Sequence, residues 1–434
     1  MKHPVLPVIA LFFLSAVQPV FGDDLDFDFE PPPPPGPIAL GGYIELKAEH
    51  IQFDDKSAFH RITRPERENH DNLQRITPLL EVYGGYRSGI LRLNGRAQTS
   101  LTLDRTQTYE RTRLLEGYIS LSPGPSHSYE LGKRALRWGK GYAWNPVAFL
   151  ERPKDPADPD LSREGFMLAS VSWTRSFTGG PWQTLTVNPV LVPVTDDINS
   201  TFAERNRLYP GGRLYTLYRD TDIDIIVLSE GTDSGRIGMD FSRNITSNFE
   251  VHGEWARLFK TETPVLAGDG DILLREENAN RYLMGIRYLT QNETTFIIEY
   301  YRDETGYSVD EMKEFLDFAH EAARNFEETG DVSGLNLARR LHGGAYGLQT
   351  PMRNYLYARA AHRDPMDILY LTPAVFSIVN LDDRSFQAAA ELTYTGYREL
   401  EVRMRAIFLS GTSETEFGAR PSDYRLEARV RYYF

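Results

Sequence analysis

Tyr424-Arg-Leu-Glu-Ala-Arg-Val-Arg-Tyr-Tyr-Phe434 alternates with period two: Tyr424, Leu426, Ala428, Val430, Tyr432 and Phe434 are apolar or small, and Arg425, Glu427, Arg429 and Arg431 stand between them. Successive side chains of a β-strand point to opposite faces, so this stretch has one greasy face and one charged face. A soluble sheet can use such a strand at its edge. Here the pattern recurs along most of the chain, and Phe434 puts an aromatic at the rim, where a membrane interface would meet it.

Working outward from that strand, eighteen segments carry the alternation: 41–53, 73–86, 90–103, 112–121, 128–135, 165–176, 182–192, 212–219, 222–229, 235–243, 248–260, 280–290, 293–302, 352–362, 367–379, 385–396, 399–410 and 423–434. Segments 182–192 and 212–229 alternate least cleanly, which leaves sixteen as the alternative count. Connectors after even-numbered segments are tight and turn-rich, as in Arg87-Ser-Gly89, Ser122-Pro-Gly-Pro125 and Gln291-Asn292. Those after odd-numbered segments are mostly long: 54–72, 136–164, 193–211, 261–279 and 303–351. A closed antiparallel barrel with both termini on one side requires this asymmetry, and a soluble sandwich does not. The pattern resembles that of Gram-negative outer-membrane β-barrels, and the last strand resembles their terminal strand. That resemblance implies an all-β fold, a transmembrane antiparallel barrel over 40–434, with short periplasmic turns, long external loops and a setting in outer-membrane lipids.

Alternation also assigns faces. Leu91, Leu93, Ala97, Leu101 and Leu103 fall on one side of their strand, Arg92, Asn94, Arg96, Gln98 and Ser100 on the other. A charge on the lipid side costs roughly 2–4 kcal/mol at the midplane, so the charged side faces inward. The expected inner ladder mixes Arg92, Arg96, Arg287, Arg403, Arg425 and Arg429 with Glu81, Glu116, Glu254 and Glu299.

The N-terminal region reads as addressing rather than barrel. Lys2 and His3 precede the apolar run Val5 to Val20, with Gly22 before a cut, as in a cleaved signal peptide over 1–22. Residues 23–39 follow as an acidic, proline-rich tail with Pro31 to Pro35, an extended spacer on the periplasmic side whose 23–37 portion could tether a periplasmic partner. No later run reaches the ~20 apolar residues of a spanning helix. The chain has no cysteine, which removes disulfides, thiolate metal sites and covalent haem attachment, and a net charge of −13 argues against nucleic acid as a partner. With 24 tyrosines and 23 phenylalanines but a mean hydropathy of −0.43, it is aromatic and polar at once, as a barrel with one greasy face must be.

One external loop is predicted to be helical. Ser308 and Glu311 make a capping box, Met312, Phe315, Leu316, Ala319, Ala322 and Phe326 share a face, and Gly330 closes the helix; a second short helix spans Leu335 to Leu341. Such an amphipathic pair buries its stripe either on the barrel mouth or within itself.

The stretch densest in chemistry is Leu131-Gly-Lys-Arg-Ala-Leu-Arg-Trp-Gly-Lys-Gly-Tyr-Ala-Trp-Asn-Pro146. Gly139 and Gly141 permit close backbone approach, Trp138 and Trp144 can anchor a loop, and Arg134, Arg137 and Lys140 gather positive charge. The strand-end Gly-Lys-Arg, the Trp-Gly and the Asn-Pro of this stretch resemble the alginate-export and related outer-membrane porin families. The resemblance implies that 136–164 folds into the lumen as a constriction with Arg134, Arg137, Trp138, Lys140, Trp144 and Asn145 at the pore. The mixed signs of the ladder depart from a polyanion pore.

Catalysis finds little support: His252 stands between Glu250 and Glu254 on an inward face, which suits a hydrogen-bonded network better than a triad. The acids Asp155, Asp158, Asp160, Asp196 and Asp197 suit solvated loops better than a calcium site. No cofactor and no enzyme activity is expected. The sequence therefore points to a porin-like channel for passive diffusion of small polar or charged solutes, saccharide-like or anionic. The alternatives are a plugged structural or assembly barrel and the sheath of an electron-transfer conduit.

Overall fold

The computed structural model describes residues 36–434 except 65–70, 106, 162, 232–233 and 269. The signal peptide 1–22, most of the tail 23–39 and part of the loop 54–72 lie outside the described residues.

Eighteen strands form one antiparallel sheet. They are β1 (Ile38–Phe53), β2 (Asn72–Ser88), β3 (Leu91–Asp104), β4 (Thr108–Gly124), β5 (His127–Arg134) and β6 (Phe166–Ser176). Then come β7 (Trp182–Val194), β8 (Arg207–Tyr218), β9 (Thr221–Ser229), β10 (Gly235–Thr246), β11 (Phe249–Leu266) and β12 (Ile272–Leu289). The last six are β13 (Thr294–Asp303), β14 (Asn354–His362), β15 (Leu371–Asn380), β16 (Phe386–Tyr397), β17 (Leu400–Ser410) and β18 (Ser422–Tyr433). Because β1 pairs with both β2 and β18, the sheet closes and no edge is left to aggregate. At the seam the Phe434 N–H donates to Gly42 O, and the Gly42 N–H to Phe434 O, both at 3.0 Å. A Cβ on Gly42 would lie 2.7 Å from the Phe434 ring, so only glycine lets the last aromatic lie across β1 here.

Alternation then separates the faces as expected. Leu93, Ile119, Leu191, Ile225, Val227, Met284, Ile286, Met404, Phe408 and Val430 are exposed on the outside, and Trp182, Tyr288, Tyr397, Tyr432 and Phe434 crowd the rim of short turns. Among the described residues no helix is long and apolar enough to cross a membrane; crossing falls to the strands.

One expected loop is ladder instead. The expected connector 261–279 carries Lys260-Thr-Glu262 and Arg275-Glu-Glu277, which interrupt the apolar rhythm. In the structure Glu262 pairs with Glu276 and Val265 with Leu273, so β11 runs on to Leu266 and β12 starts at Ile272. Neighbouring loops hold this extension: the Tyr307 hydroxyl donates to Pro264 O at 2.7 Å, and the Leu266 N–H donates to the Tyr346 hydroxyl at 3.0 Å. Similarly, β8 begins at Arg207, so the connector 193–211 shrinks to 195–206.

The long loops at the other rim pack into one helical cap. The capping box is present, with Ser308 Oγ accepting from the Glu311 N–H and Glu311 Oε2 accepting from the Ser308 N–H, and Gly330 adopts φ 76° at the end of α2 (Val309–Thr329). The shorter α3 (Ser333–Leu341) follows. A third helix, missed in the sequence because it is one turn and a half long, is α1 (Ala58–Thr63) in the loop after β1, capped by Ser57. Phe59 and Ile62 of α1 join Phe315, Leu316, Ala319, Leu335, Ala338 and Leu341 in one buried cluster. The amphipathic stripe is thus shared between helices of two loops. The segment 411–421 completes the cap, with the Phe59 N–H donating to Ala419 O and Arg420 reaching Gln349 O at 2.6 Å.

Candidate functional site: a loop across the lumen

The connection 135–165 between β5 and β6 turns into the barrel, and the wall holds it by two carboxylates. Glu254 on β11 accepts from the N–H groups of Lys140 at 2.5 Å, Gly141 at 2.6 Å and Val147 at 3.2 Å. Glu299 on β13 accepts from the N–H of Tyr142 and, at 2.8 Å, from that of Ala143, and its other neighbour is His252 Nε2 at 2.8 Å. Consecutive backbone amides wrapped around a carboxylate form an anion-binding concavity, here used to fix a loop rather than a ligand. The approach needs glycine: a Cβ on Gly139, which has φ 91°, would lie 2.9 Å from Glu254 Oε1, and one on Gly141 2.7 Å from Leu283 Cδ1.

Around these anchors the loop is sealed by two apolar cores inside the barrel. Trp138, Val147, Phe149 and Leu150 pack on Leu168 of β6, Val190, Val192 and Val194 of β7, Tyr209 of β8, Ile226 and Leu228 of β9 and Leu258 of β11. Ala143 and Trp144 pack on Leu283 of β12, Tyr301 of β13, Tyr355 and Tyr357 of β14 and Phe376 of β15. Trp144 stacks on Tyr301 with ring centroids 5.0 Å apart. Burial of this kind contributes on the order of 1.5–3 kcal/mol per large side chain.

Beyond the cores the contacts are ionic. Lys140 Nζ lies 2.9 Å from Asp224 on β9 and 3.9 Å from Asp240 on β10. Near the loop's far end Asp158 reaches β17 and β18, with Arg429 at 2.9 Å, Arg405 at 3.8 Å and Arg403 at 3.9 Å. Burial alone would raise the Asp158 carboxyl, but the three guanidiniums hold it below its ordinary value. Asp155 accepts from the Ala157 N–H at 2.9 Å, a contact within the loop itself.

The remaining inner wall, from β18 through β1 to β5, is polar. Glu81 accepts from Tyr43 at 2.9 Å, Gln98 at 2.9 Å and Arg96 Nε at 2.6 Å. Glu45 pairs with Arg431 at 2.6 Å and Glu49 with Lys47 at 3.1 Å and Arg425 at 3.9 Å. The Arg96, Arg431 and Arg425 side chains keep 23%, 20% and 35% of their surface exposed.

The expected pore residues separate accordingly. Arg137, at φ 57°, is exposed between the buried Trp138 and the half-buried Leu136. Arg134 pairs with Glu130 and covers the Tyr118 ring. Lys140, Trp138 and Trp144 are turned into the wall, and Asn145 Oδ1 faces the Lys154 N–H at 3.4 Å inside the loop. In the ladder, Arg92 is exposed, Arg287 lies 4.0 Å from Glu250, and Glu116 accepts from the Ala135 N–H at 3.1 Å. Glu254 and Glu299 do not line open water: they are the loop's anchors. Asp224, Asp240 and Asp158 were not singled out for these contacts. For the two wall aspartates the available signal was an acid in place of the inward apolar residue in Ile223-Asp-Ile225 and Met239-Asp-Phe241.

Among solved structures the chain resembles Pseudomonas aeruginosa OccK5 (OpdH), with a TM-score of 0.50 and 12% identity over 91% of this chain and 98% of that one. It also resembles Pseudomonas aeruginosa OprD, with a TM-score of 0.50 and 10% identity over 91% of this chain and 95% of that one. At such identity the likeness is one of fold, the closed eighteen-stranded barrel. No family model and no curated protein matches the chain, so the alginate-export resemblance rests on residues 131–146 alone.

Proposed function

We propose that this barrel sits in the outer membrane and lets small polar or charged solutes diffuse through a water-filled passage along its polar wall, between β18 and β5. The observation that carries the reading is the division of the interior. The apolar residues of the loop 135–165 pack on the β6 to β16 wall and, among the described residues, Asp158 alone reaches across to Arg429 of β18, while Arg96, Arg425 and Arg431 stay partly exposed. Charge of both signs along such a wall orders water and orients dipolar solutes without closing the way to either sign. The fold shared with OccK5 and OprD supports it. Arg134 and Arg137 stand where the loop leaves β5, at the border of that passage, and Arg92 lies near its turn-side end.

Planar-bilayer recording of the purified chain tests the reading. Steady ion current is expected, and replacing Arg134 and Arg137 together with alanine shifts the reversal potential in a salt gradient toward cations. Electrical silence would refute the channel and favour a plugged barrel. Current with an unmoved reversal potential would remove the two arginines from the passage.

A further inference from the structure

At Lys140 the crossing loop meets two acids that stand directly opposite each other on neighbouring strands, Asp224 of β9 and Asp240 of β10, which are 0% and 1% exposed. Lys140 Nζ is 2.9 Å from Asp224 Oδ2 and 3.9 Å from Asp240 Oδ1, and Arg213 Nε is 3.4 Å from Asp224 Oδ1. None of the four carboxylate oxygens accepts a hydrogen bond among the described residues, so the amine touches Asp224 out of hydrogen-bonding alignment. The surroundings are aromatic and apolar. The Tyr215 ring centroid lies 5.7 Å from Nζ, Arg213 covers the Trp138 and Tyr215 rings, and Ile226, the next inward residue on β9, is buried in one cluster with Trp138 and Val147. Glu254 fixes the place of the lysine by accepting from the N–H groups of Lys140 and Gly141.

An amine held against one buried carboxyl, with a second carboxyl beside both, has the parts for a condensation as well as for an ion pair. We infer that Lys140 and Asp224 join in a side-chain amide that ties the loop covalently to β9, with Asp240 as the proton relay. In this step the ammonium passes one proton to the Asp240 carboxylate, and the freed lone pair forms an N–C bond to Asp224 Cγ. Asp240 then gives that proton to the departing Asp224 oxygen, a second proton from the nitrogen joins it, and the C–O bond breaks to release water. Ammonium and carboxylate become amide and water, so atoms, charge and electrons balance without a co-reactant. Arg213 stands at the other Asp224 oxygen, where negative charge builds in the tetrahedral stage. Two effects favour the product. Groups held in reacting geometry behave as if present at about 10⁵–10⁸ M, and the reaction removes two charges from a buried site while leaving Arg213 and Asp240 as one cation and one anion. None of this depends on the channel reading.

Peptide mapping by mass spectrometry reads the link directly, on the full chain shown to be folded by heat-modifiable gel mobility and then unfolded for digestion. Trypsin is expected to leave the bond after Lys140 uncut and to release segments 138–154 and 220–236 as one species, lighter than their sum by one water. Fragmentation should place the join at Lys140 and Asp224, and Asp224→Ala supplies the unlinked reference map. Asp240→Asn keeps the size of the side chain but cannot relay a proton, so it is expected to lose the link completely while retaining folded mobility. An ion pair alone predicts cleavage after Lys140 in the native chain and in Asp240→Asn alike. Two separate segments from the folded native chain overturn the inference whether or not the variant folds, and so does a link that survives in folded Asp240→Asn. Because the readout is a mass and needs no ion current, its failure is distinct from electrical silence in the bilayer.

Discussion

The inner wall from β6 to β16 and the inner wall from β18 through β1 to β5 come from the same alternating strands, yet on the loop side they present opposite surfaces. The first offers Val190, Val192, Val194, Ile226, Leu228, Leu283, Tyr355 and Phe376, and the loop 135–165 covers it. The second offers Tyr43, Glu45, Glu49, Glu81, Arg96 and Arg431, and it keeps its ion pairs partly wet. Period two decides only which side chains point inward. Whether the interior there holds water depends on a second layer, the loop, whose own apolar residues match one wall and not the other. The barrel resembles a sandwich core on one side and a solvated channel on the other.

The largest expected effect comes from cutting the weld. Glu254→Ala leaves the N–H groups of Lys140, Gly141 and Val147 without their acceptor and exposes Lys140 to a rearranged wall, a loss of roughly 3–5 kcal/mol in loop docking. Residues 135–165 should become protease-sensitive and unitary conductance should rise several-fold, while the barrel keeps its heat-modifiable mobility. If the loop stays protected, the two walls do not differ in the way described. Leu150→Ala tests the apolar half of the same weld. Leu150 is fully buried, so about 2–3 kcal/mol is expected, in the lower part of the range for a leucine truncation because one side of its cluster is loop that can settle. A smaller gain in protease sensitivity than for Glu254→Ala, with conductance raised in proportion, would sharpen the ranking.

The cap over the apolar side adds a pH dependence. Glu416 accepts from the Tyr355 hydroxyl at 2.6 Å and Asn380 Nδ2 at 2.8 Å, tying segment 411–421 to β14 and β15. Burial pushes its carboxyl up to about 7, against the opposing pull of Arg420. A carboxyl raised on folding contributes stability that is fully present below its unfolded value and is lost as pH rises through about 7. Hydrogen exchange in 411–421 should therefore be faster at pH 8.5 than at pH 5.5 after correction for intrinsic rates. Glu416→Gln should flatten that difference, and a difference that persists in the variant would assign the effect elsewhere.

Much of this barrel was legible from alternation. The eighteen strands, the helix from Ser308 to Gly330 and the inward face of Glu254 all follow from spacing and caps. The apolar inner wall was not, although its trace is visible. In Val190-Leu-Val-Pro-Val194 and Ile225-Ile-Val-Leu228 both faces are apolar, which blurs the rhythm and made 182–192 and 212–229 the least regular segments. A strand greasy on both sides has both faces to cover, and here the loop 135–165 covers the inner one. What no spacing rule could supply is the pairing of partners 100 or more residues apart, such as Lys140 with Glu254 or Asp158 with Arg405, separated by 114 and 247 positions.

The smallest structural effect belongs to the polar wall, where function should move and stability should not. Arg92 is exposed near the turn rim, so Arg92→Gln should change stability by less than about 0.5 kcal/mol. Its charge still contributes to the field along the passage, because a surface charge acts over roughly a Debye length, about 10 Å at 0.1 M salt. The reversal potential in a potassium chloride gradient should therefore shift slightly toward cations at 0.1 M and hardly at all at 1 M, where that length falls to about 3 Å. The same substitution placed on the covered wall would be silent electrically and costly to loop docking. A shift that is independent of salt would mean that Arg92 acts by contact with the permeating ion, and the wet wall would then be narrower at its turn-side end than its exposed arginines suggest.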